Sequence, residues 1–252
     1  MPFCDLSHVR LYYSRAGTGP PVILLHQYFG TSESWLAIFD TLRRSFDVIA
    51  PDLRAHGRSS DPGGRLTLPG FTTDIAELVR RLGIESAHLV GASLGAMVAT
   101  RLAVHGAIQP RSLVLIGPPN FAAPSTAAYT RQIIEEQFPT NEAEYAHLHR
   151  AHGPHHARDR LLANFIRDSE EQPPEMREWQ AGVESLTCPV LLMSGDNDPV
   201  APAPWLVDIA SQLPAGELCL LPVAGHFPHR LLPHIAGLVL LDFLLRAERA
   251  SS

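Results

Sequence analysis

Gly91-Ala92-Ser93-Leu94-Gly95 directly follows the apolar run His88-Leu89-Val90 and directly precedes a helical pattern beginning near Ala96. A serine on so sharp a strand-to-helix turn takes a strained backbone, and flanking glycines let neighbouring chain segments come close. The helix beyond it aims backbone N–H groups and a positive dipole end at any negative charge that develops there. This arrangement suits nucleophilic attack on a carbonyl. A serine needs a base, and a histidine base needs an acid to orient it. In the chain order Ser…Asp…His, the acid follows a later strand and the histidine follows the last one. Val190-Leu191-Leu192-Met193-Ser194-Gly195 reads as such a strand and leads into Asp196-Asn197-Asp198. Leu218–Pro222 reads as the last strand and leads into Val223-Ala224-Gly225-His226-Phe227. Ser93, one of the two aspartates and His226 are therefore the candidate catalytic set. His229 lies three residues on and reads as the start of the closing helix.

Residues this far apart meet only if the fold brings their loops together. Short apolar runs at Val22–His26, Phe46–Ala50, Ala87–Val90, Ser112–Ile116, Val190–Met193 and Leu218–Leu221 alternate with amphipathic stretches at Ser34–Arg44, Phe71–Leu82, Ala96–His105 and Trp205–Leu213. Continuous apolar strands separated by helices predict a mostly parallel sheet buried on both faces, with the candidate residues gathered at its carboxyl edge. A hairpin is expected around Val9–Ser14, and Pro233–Arg246 reads as the closing helix. From Gly117 to Ser185 no strand pattern appears. An interval that long predicts a helical cap, so residues 1–116 and 186–252 form the expected core and 117–185 the expected cap.

Composition removes several function classes. The chain has 252 residues, 45% of them apolar, and a formal net charge of −6. That balance provides no basic face for a nucleic-acid backbone. Every cation is arginine, which excludes Schiff-base chemistry, a lysine-anchored pyridoxal cofactor and a phosphate-gripping P-loop lysine. Cys4, Cys188 and Cys219 form neither a disulfide framework nor a zinc pair. No signal peptide and no run of roughly 20 apolar residues is evident, so a cytoplasmic protein without membrane partners is expected.

On these motifs the chain resembles the α/β-hydrolase superfamily, specifically its capped esterase, enol-lactonase and cofactor-free perhydrolase-like group. The resemblance runs from about Val22 to Phe243. It implies the α/β-hydrolase fold, with the cap inserted before the penultimate strand. It also selects Asp198, the second aspartate of Gly195-Asp196-Asn197-Asp198, as the acid, and leaves Asp196 to the turn. Pro51-Asp52-Leu53-Arg54-Ala55-His56-Gly57-Arg58-Ser59 is similar to the group's D-x-R-G-x-G-x-S loop, with Ala55 at a usual glycine; Asp52, Arg54 and Arg58 are expected to brace it. His26-Gln27-Tyr28-Phe29-Gly30 resembles the H-G-x-x-G loop. Carried over, the oxyanion donors are the backbone N–H groups of Tyr28 and Leu94, and His26 holds the loop together. Gln27 stands where the group has glycine, and its side chain is expected to pack outward.

The cap histidines His147, His149, His152, His155 and His156 read as a solvated surface, since Gly153-Pro154 interrupts the helix that would align metal ligands. Gln27, Phe29, Phe121, Tyr129, Phe165, Trp179 and Phe227 are the candidate pocket residues. Phe138 is a further cap aromatic, and Trp35 and Phe39 fit the core face of the first helix. The expected activity is hydrolysis of a small to medium carboxylic ester or lactone through an acyl-enzyme, with no metal or organic cofactor. Thioester or C–C bond cleavage and perhydrolysis use the same residues. A receptor on this scaffold that binds a small molecule with little turnover is the reading from another class.

Overall fold

The computed structural model describes residues 3–137, 151–152, 157–177 and 179–251. Eight strands form one sheet: β1 (Phe3–Asp5), β2 (Arg10–Ala16), β3 (Pro21–Leu25), β4 (Asp47–Pro51), β5 (Ser86–Ala92), β6 (Gln109–Ile116), β7 (Val190–Gly195) and β8 (Gly216–Leu221). Their spatial order is β1-β2-β4-β3-β5-β6-β7-β8. β1 and β2 make the antiparallel hairpin, β2 pairs antiparallel with β4, and every later pairing is parallel.

Side chains alternate between the two faces of the sheet, and both faces are buried along the central strands β3, β4, β5 and β7. Ile23, Leu25, Leu89, Leu113, Leu115 and Leu192 belong to one core cluster, to which α2 (Leu68–Arg81) and α3 (Leu94–Val104) contribute Phe71, Ile75, Leu78 and Val98. Val22, Leu24, Val90, Val114, Ile116 and Met193 face the other way, against Ile38 and Leu42 of α1 (Leu36–Leu42) and Leu240 and Phe243 of the closing helix. Trp35 is fully buried in this second cluster, and Phe39 packs at its edge. Cys188 and Cys219 are half-buried, one against each cluster.

Several expected boundaries shift. The first helix is preceded by a 3₁₀ turn at Ser32–Trp35, capped by Thr31. His229 does not start the closing helix. It lies in a separate turn, Pro228–Leu231, and the helix proper runs Pro233–Ser251, because Pro233 has no N–H to continue the earlier turn. Between β6 and β7 the described residues form no strand and carry α4 (Pro124–Gln132), a π turn (Ile133–Gln137), α5 (Ala157–Glu171), α6 (Pro174–Arg177) and α7 (Trp179–Glu184). α8 (Ala203–Gln212) links β7 to β8. Among the described residues no helix is long and apolar enough to cross a membrane.

The register sets the active edge. Leu25 pairs with Gly91, Ala92 with Ile116, Ile116 with Met193 and Gly195 with Leu221. The carboxyl ends of β3, β5, β6, β7 and β8 therefore finish level. β3 stands between β4 and β5, so the chain order reverses at the β3–β5 step, where a parallel sheet opens its crevice.

Candidate active site

Ser93 stands on the turn out of β5, with φ 50° and ψ −111°, a conformation that a non-glycine residue holds only under tertiary constraint. The constraint is visible. Its N–H donates to Ile116 O at 2.8 Å, and the turn is so tight that a Cβ on Gly91 would lie 2.1 Å from Gly95 O. A Cβ on Gly95 would lie 2.1 Å from Leu25 O. Only glycine fits at either flank.

Opposite it, His226 Nε2 is 3.1 Å from Ser93 Oγ, and His226 Nδ1 is 2.9 Å from Asp198 Oδ2. Asp198 is buried, and its oxygens are fully engaged. Oδ1 accepts the N–H groups of Val200 (2.8 Å) and Ala201 (3.1 Å), and Oδ2 accepts the Ser194 hydroxyl at 2.5 Å. Burial alone would raise its pKa, but the hydrogen bond and charge of His226, with Ser194 and the Val200 N–H, outweigh burial and hold it below the ordinary carboxylate value. Since the carboxylate can only accept, Nδ1 carries the imidazole proton and Nε2 is left to accept from serine. Asp196 is exposed and ties the turn instead, its Oδ1 accepting the Val223 N–H at 2.9 Å. Ser194, the last polar side chain of an apolar strand, is the residue of this group that the sequence reading missed.

The β3 loop supplies the other wall. Gly30 N–H donates to Gln27 O at 2.9 Å, closing a turn whose third residue, Phe29, has φ 61°. His26 is fully buried; its Nδ1–H donates to Gln27 O (2.8 Å) and its Nε2 accepts the Leu53 N–H (2.9 Å), so it holds the loop as expected. Gln27 does not pack outward. It is buried, lines the cavity beside Ser93, and donates from Nε2 to Ser34 Oγ at 3.3 Å. Its amide lies over Gly30, where a Cβ would meet Gln27 Cδ at 2.8 Å. The loop thus accommodates glutamine by leaving Gly30 bare. Among the described residues, neither the Tyr28 nor the Leu94 N–H donates to a protein acceptor.

Asp52 braces the neighbouring loop, accepting from Ser32 N (2.6 Å) and Arg58 N (2.9 Å), and Arg54 forms a two-pronged ion pair with Asp74. A cavity of about 450 Å³ opens over Ser93 and His226. Gln27, Phe29, Phe121, Tyr129, Phe165 and Phe227 line it. Trp179 does not. It is buried one layer back, donating from Nε1 to Pro119 O at 3.0 Å and packing edge-on to Trp205, because its position in α7 faces the core. Met97, one helical turn beyond Ser93, joins the lining, and that i+4 spacing would have identified it.

The histidines of the stretch between β6 and β7 divide. His147, His149, His155 and His156, like Phe138, lie outside the described residues. His152 is fully buried rather than solvated, with Nδ1 2.9 Å from Gly57 N and Nε2 3.1 Å from Phe29 O. Among the described residues no cluster of three side chains suits a metal ion.

Burial holds several histidines neutral. It lowers His26 and His88 to about 4 and His229 to about 3. The unfolded chain takes these protons near the ordinary value of roughly 6.5. Their contribution to stability is therefore complete above about pH 6.5 and drains as pH falls towards the folded values, by up to about 1.4 kcal/mol per pH unit for each. Urea-unfolding midpoints measured at pH 7, 6 and 5 at constant ionic strength should fall at each step. A midpoint flat across that range would contradict the buried, neutral assignment.

The sequence profile of the alpha/beta hydrolase fold matches residues 20–181. The dihydrolipoyllysine-residue acetyltransferase component of the acetoin cleaving system of Cupriavidus necator is 34% identical over 136 residues, covering 54% of this chain and 36% of that protein. The chain thus spans about a third of that relative's length. A non-heme haloperoxidase of Rhodococcus erythropolis is 26% identical over 234 residues, 80% of this chain and 84% of that one. Among solved structures, a thermophilic esterase from Thermogutta terrifontis superposes with a TM-score of 0.71 at 24% identity, covering 95% and 94% of the two chains, a likeness of fold. The profile match starts one residue before β3 and passes through the serine turn into α7, and the chain belongs to the alpha/beta hydrolase fold family.

Proposed function

We propose that the protein is a serine hydrolase acting on small to medium carboxylic esters or lactones, with residues 117–185 as its cap and the cytoplasm as its compartment. The observation that carries this is the unbroken relay from Asp198 through His226 to a strained serine that faces a cavity with aromatic walls. In the proposed reaction Ser93 Oγ bonds to the acyl carbon as its proton passes to His226 Nε2. Asp198 stabilises the imidazolium and keeps its tautomer. The tetrahedral oxyanion is received by the N–H groups of Tyr28 and Leu94, each such donor supplying on the order of 10²–10³ in rate. Collapse expels the alcohol, which takes the proton from His226. Water then repeats the sequence, releasing the acid and restoring the Ser93 hydroxyl; in a lactone the alcohol stays tethered to the acid. No step calls on a metal or organic cofactor.

The cavity volume lies within the range that holds small ligands. The likeness to a haloperoxidase supports a variant in which hydrogen peroxide replaces water in the second half-reaction, yielding a peracid. The test pairs p-nitrophenyl acyl esters of increasing chain length with a fluorophosphonate probe. Many turnovers, together with a label on Ser93 in the digested protein, are the expected result. One slow equivalent of product would favour a binding protein, and a label on any other residue would overturn the nucleophile.

A further inference from the structure

Phe29 keeps φ 61° without being glycine, and the Gln27 side chain is buried inside the same turn, so the turn that carries the Tyr28 N–H needs outside support. Its near end has it: Gln27 C=O, in the same planar peptide as the Tyr28 N–H, is held by His26 and by Gly30 N. Its far end is held from the inserted helical segment. The N–H of Gly57 can only donate, so His152 Nδ1 accepts it at 2.9 Å, and the ring proton must sit on Nε2, which donates to Phe29 O at 3.1 Å. From the same segment Asn164 Nδ2 donates to Tyr28 Oη at 3.0 Å, and the Phe165 ring packs at 5.3 Å from that of Tyr28 and 5.2 Å from that of Phe29. His152 also packs edge-on to His56, 5.4 Å away, which contacts His26 in turn at 5.0 Å.

We propose that His152 is a positioning residue for the oxyanion site: reaching in from the inserted segment, it fixes the Phe29 peptide against the Gly57 loop and so sets the Tyr28 N–H towards Ser93. Its catalytic consequence rests on the hydrolase reading, whereas the fastening of the loop does not.

The test substitutes His152→Phe, which keeps a ring against His56 and removes both hydrogen bonds, and His152→Gln, which restores a donor towards Phe29 O. Hydrogen exchange of the peptide spanning residues 26–31 is read together with kcat and KM on a p-nitrophenyl ester. For His152→Phe, exchange of that peptide should quicken about tenfold or more, while kcat falls roughly 10- to 100-fold with KM within about threefold, as expected when an oxyanion donor is displaced rather than deleted. His152→Gln should recover most of kcat. If His152→Phe does not fold, His152→Leu, which removes the same two hydrogen bonds with a smaller apolar side chain, takes its place with the same expected pattern. Unchanged exchange would overturn the fastening. Faster exchange with unchanged kcat in an active enzyme, or a rise in KM alone, would overturn the positioning role. A wild type without Ser93-dependent turnover would sink the hydrolase reading, and exchange would still decide whether His152 holds the loop.

Discussion

Ser93→Ala is expected to lower kcat on a p-nitrophenyl ester by about 10⁶, with KM little changed and the folded state intact. The loss is that large because, in the proposed reaction, Ser93 Oγ is the atom that bonds to the acyl carbon, and His226 Nε2 stands 3.1 Å from it. Some acceleration over water should survive, of the order of 10³–10⁴, since the Tyr28 and Leu94 N–H groups and the cavity are untouched. Alanine should fold, because the strain at residue 93 lies in φ and ψ, and the Gly91 and Gly95 contacts that impose it do not involve the hydroxyl. Ser194→Ala is the informative neighbour. It removes one of the hydrogen bonds to Asp198 and leaves His226 and the backbone donors in place, so its cost should be about tenfold or less. A loss under about 100-fold in Ser93→Ala, measured by active-site titration and steady-state kinetics on the same preparation, would remove Ser93 from the nucleophile's role.

Much of the site was legible because it depends on where strands end. Runs such as Leu191–Met193 are apolar on both faces, which only a doubly covered parallel sheet explains, and such a sheet delivers its carboxyl-end loops to one edge. The glycines flanking Ser93 were legible for an equally local reason, since they sit where backbone meets backbone. Choosing between Asp196 and Asp198 was not local. It took the family resemblance, and the structure supplies the physical reason: Asp198 meets two inward-pointing N–H groups and a hydroxyl, whereas Asp196 meets Val223 at the surface.

What stayed hidden depends on how separate segments pack. Gln27 was expected to pack outward. It turns inward because Gly30 leaves space for its amide and Ser34 accepts from it. His152 lay among five histidines in a polar stretch, and nothing in that composition distinguishes the one that reaches a loop 95 residues earlier in the chain. Trp179 had the character of a pocket residue, but its indole N–H found Pro119 O first, and the pocket wall formed one layer in front of it. His152 and Trp179 were decided by partners distant in the chain, and Gln27 by the path of its own loop, and no periodicity encodes either.

Asp198→Asn is expected to cost about 10⁴ in kcat while leaving the atoms of the site almost where they are. The outcome is decided by which oxygen meets which donor. Val200 and Ala201 both direct N–H groups at Oδ1, so the asparagine oxygen must occupy that position, and its NH₂ then takes the place of Oδ2. That NH₂ faces the Ser194 hydroxyl, which can rotate and accept, and His226 Nδ1, which stands 2.9 Å from the Oδ2 position against 3.1 Å from Oδ1 and so is expected to accept from the nearer amide nitrogen. An imidazole accepting at Nδ1 carries its proton on Nε2, the nitrogen that faces Ser93. The base is then unable to take the serine proton, although every heavy atom is in place. Asp196→Asn, which keeps an acceptor for Val223 N–H, should stay within about twofold of wild type. Kinetics on both variants, with nitrogen chemical shifts of the imidazole to report its tautomer, separate the two carboxylates directly. Should Asp198→Asn retain activity with Nε2 protonated, the proton would have to leave Ser93 by another route, and His226 would no longer serve as the base.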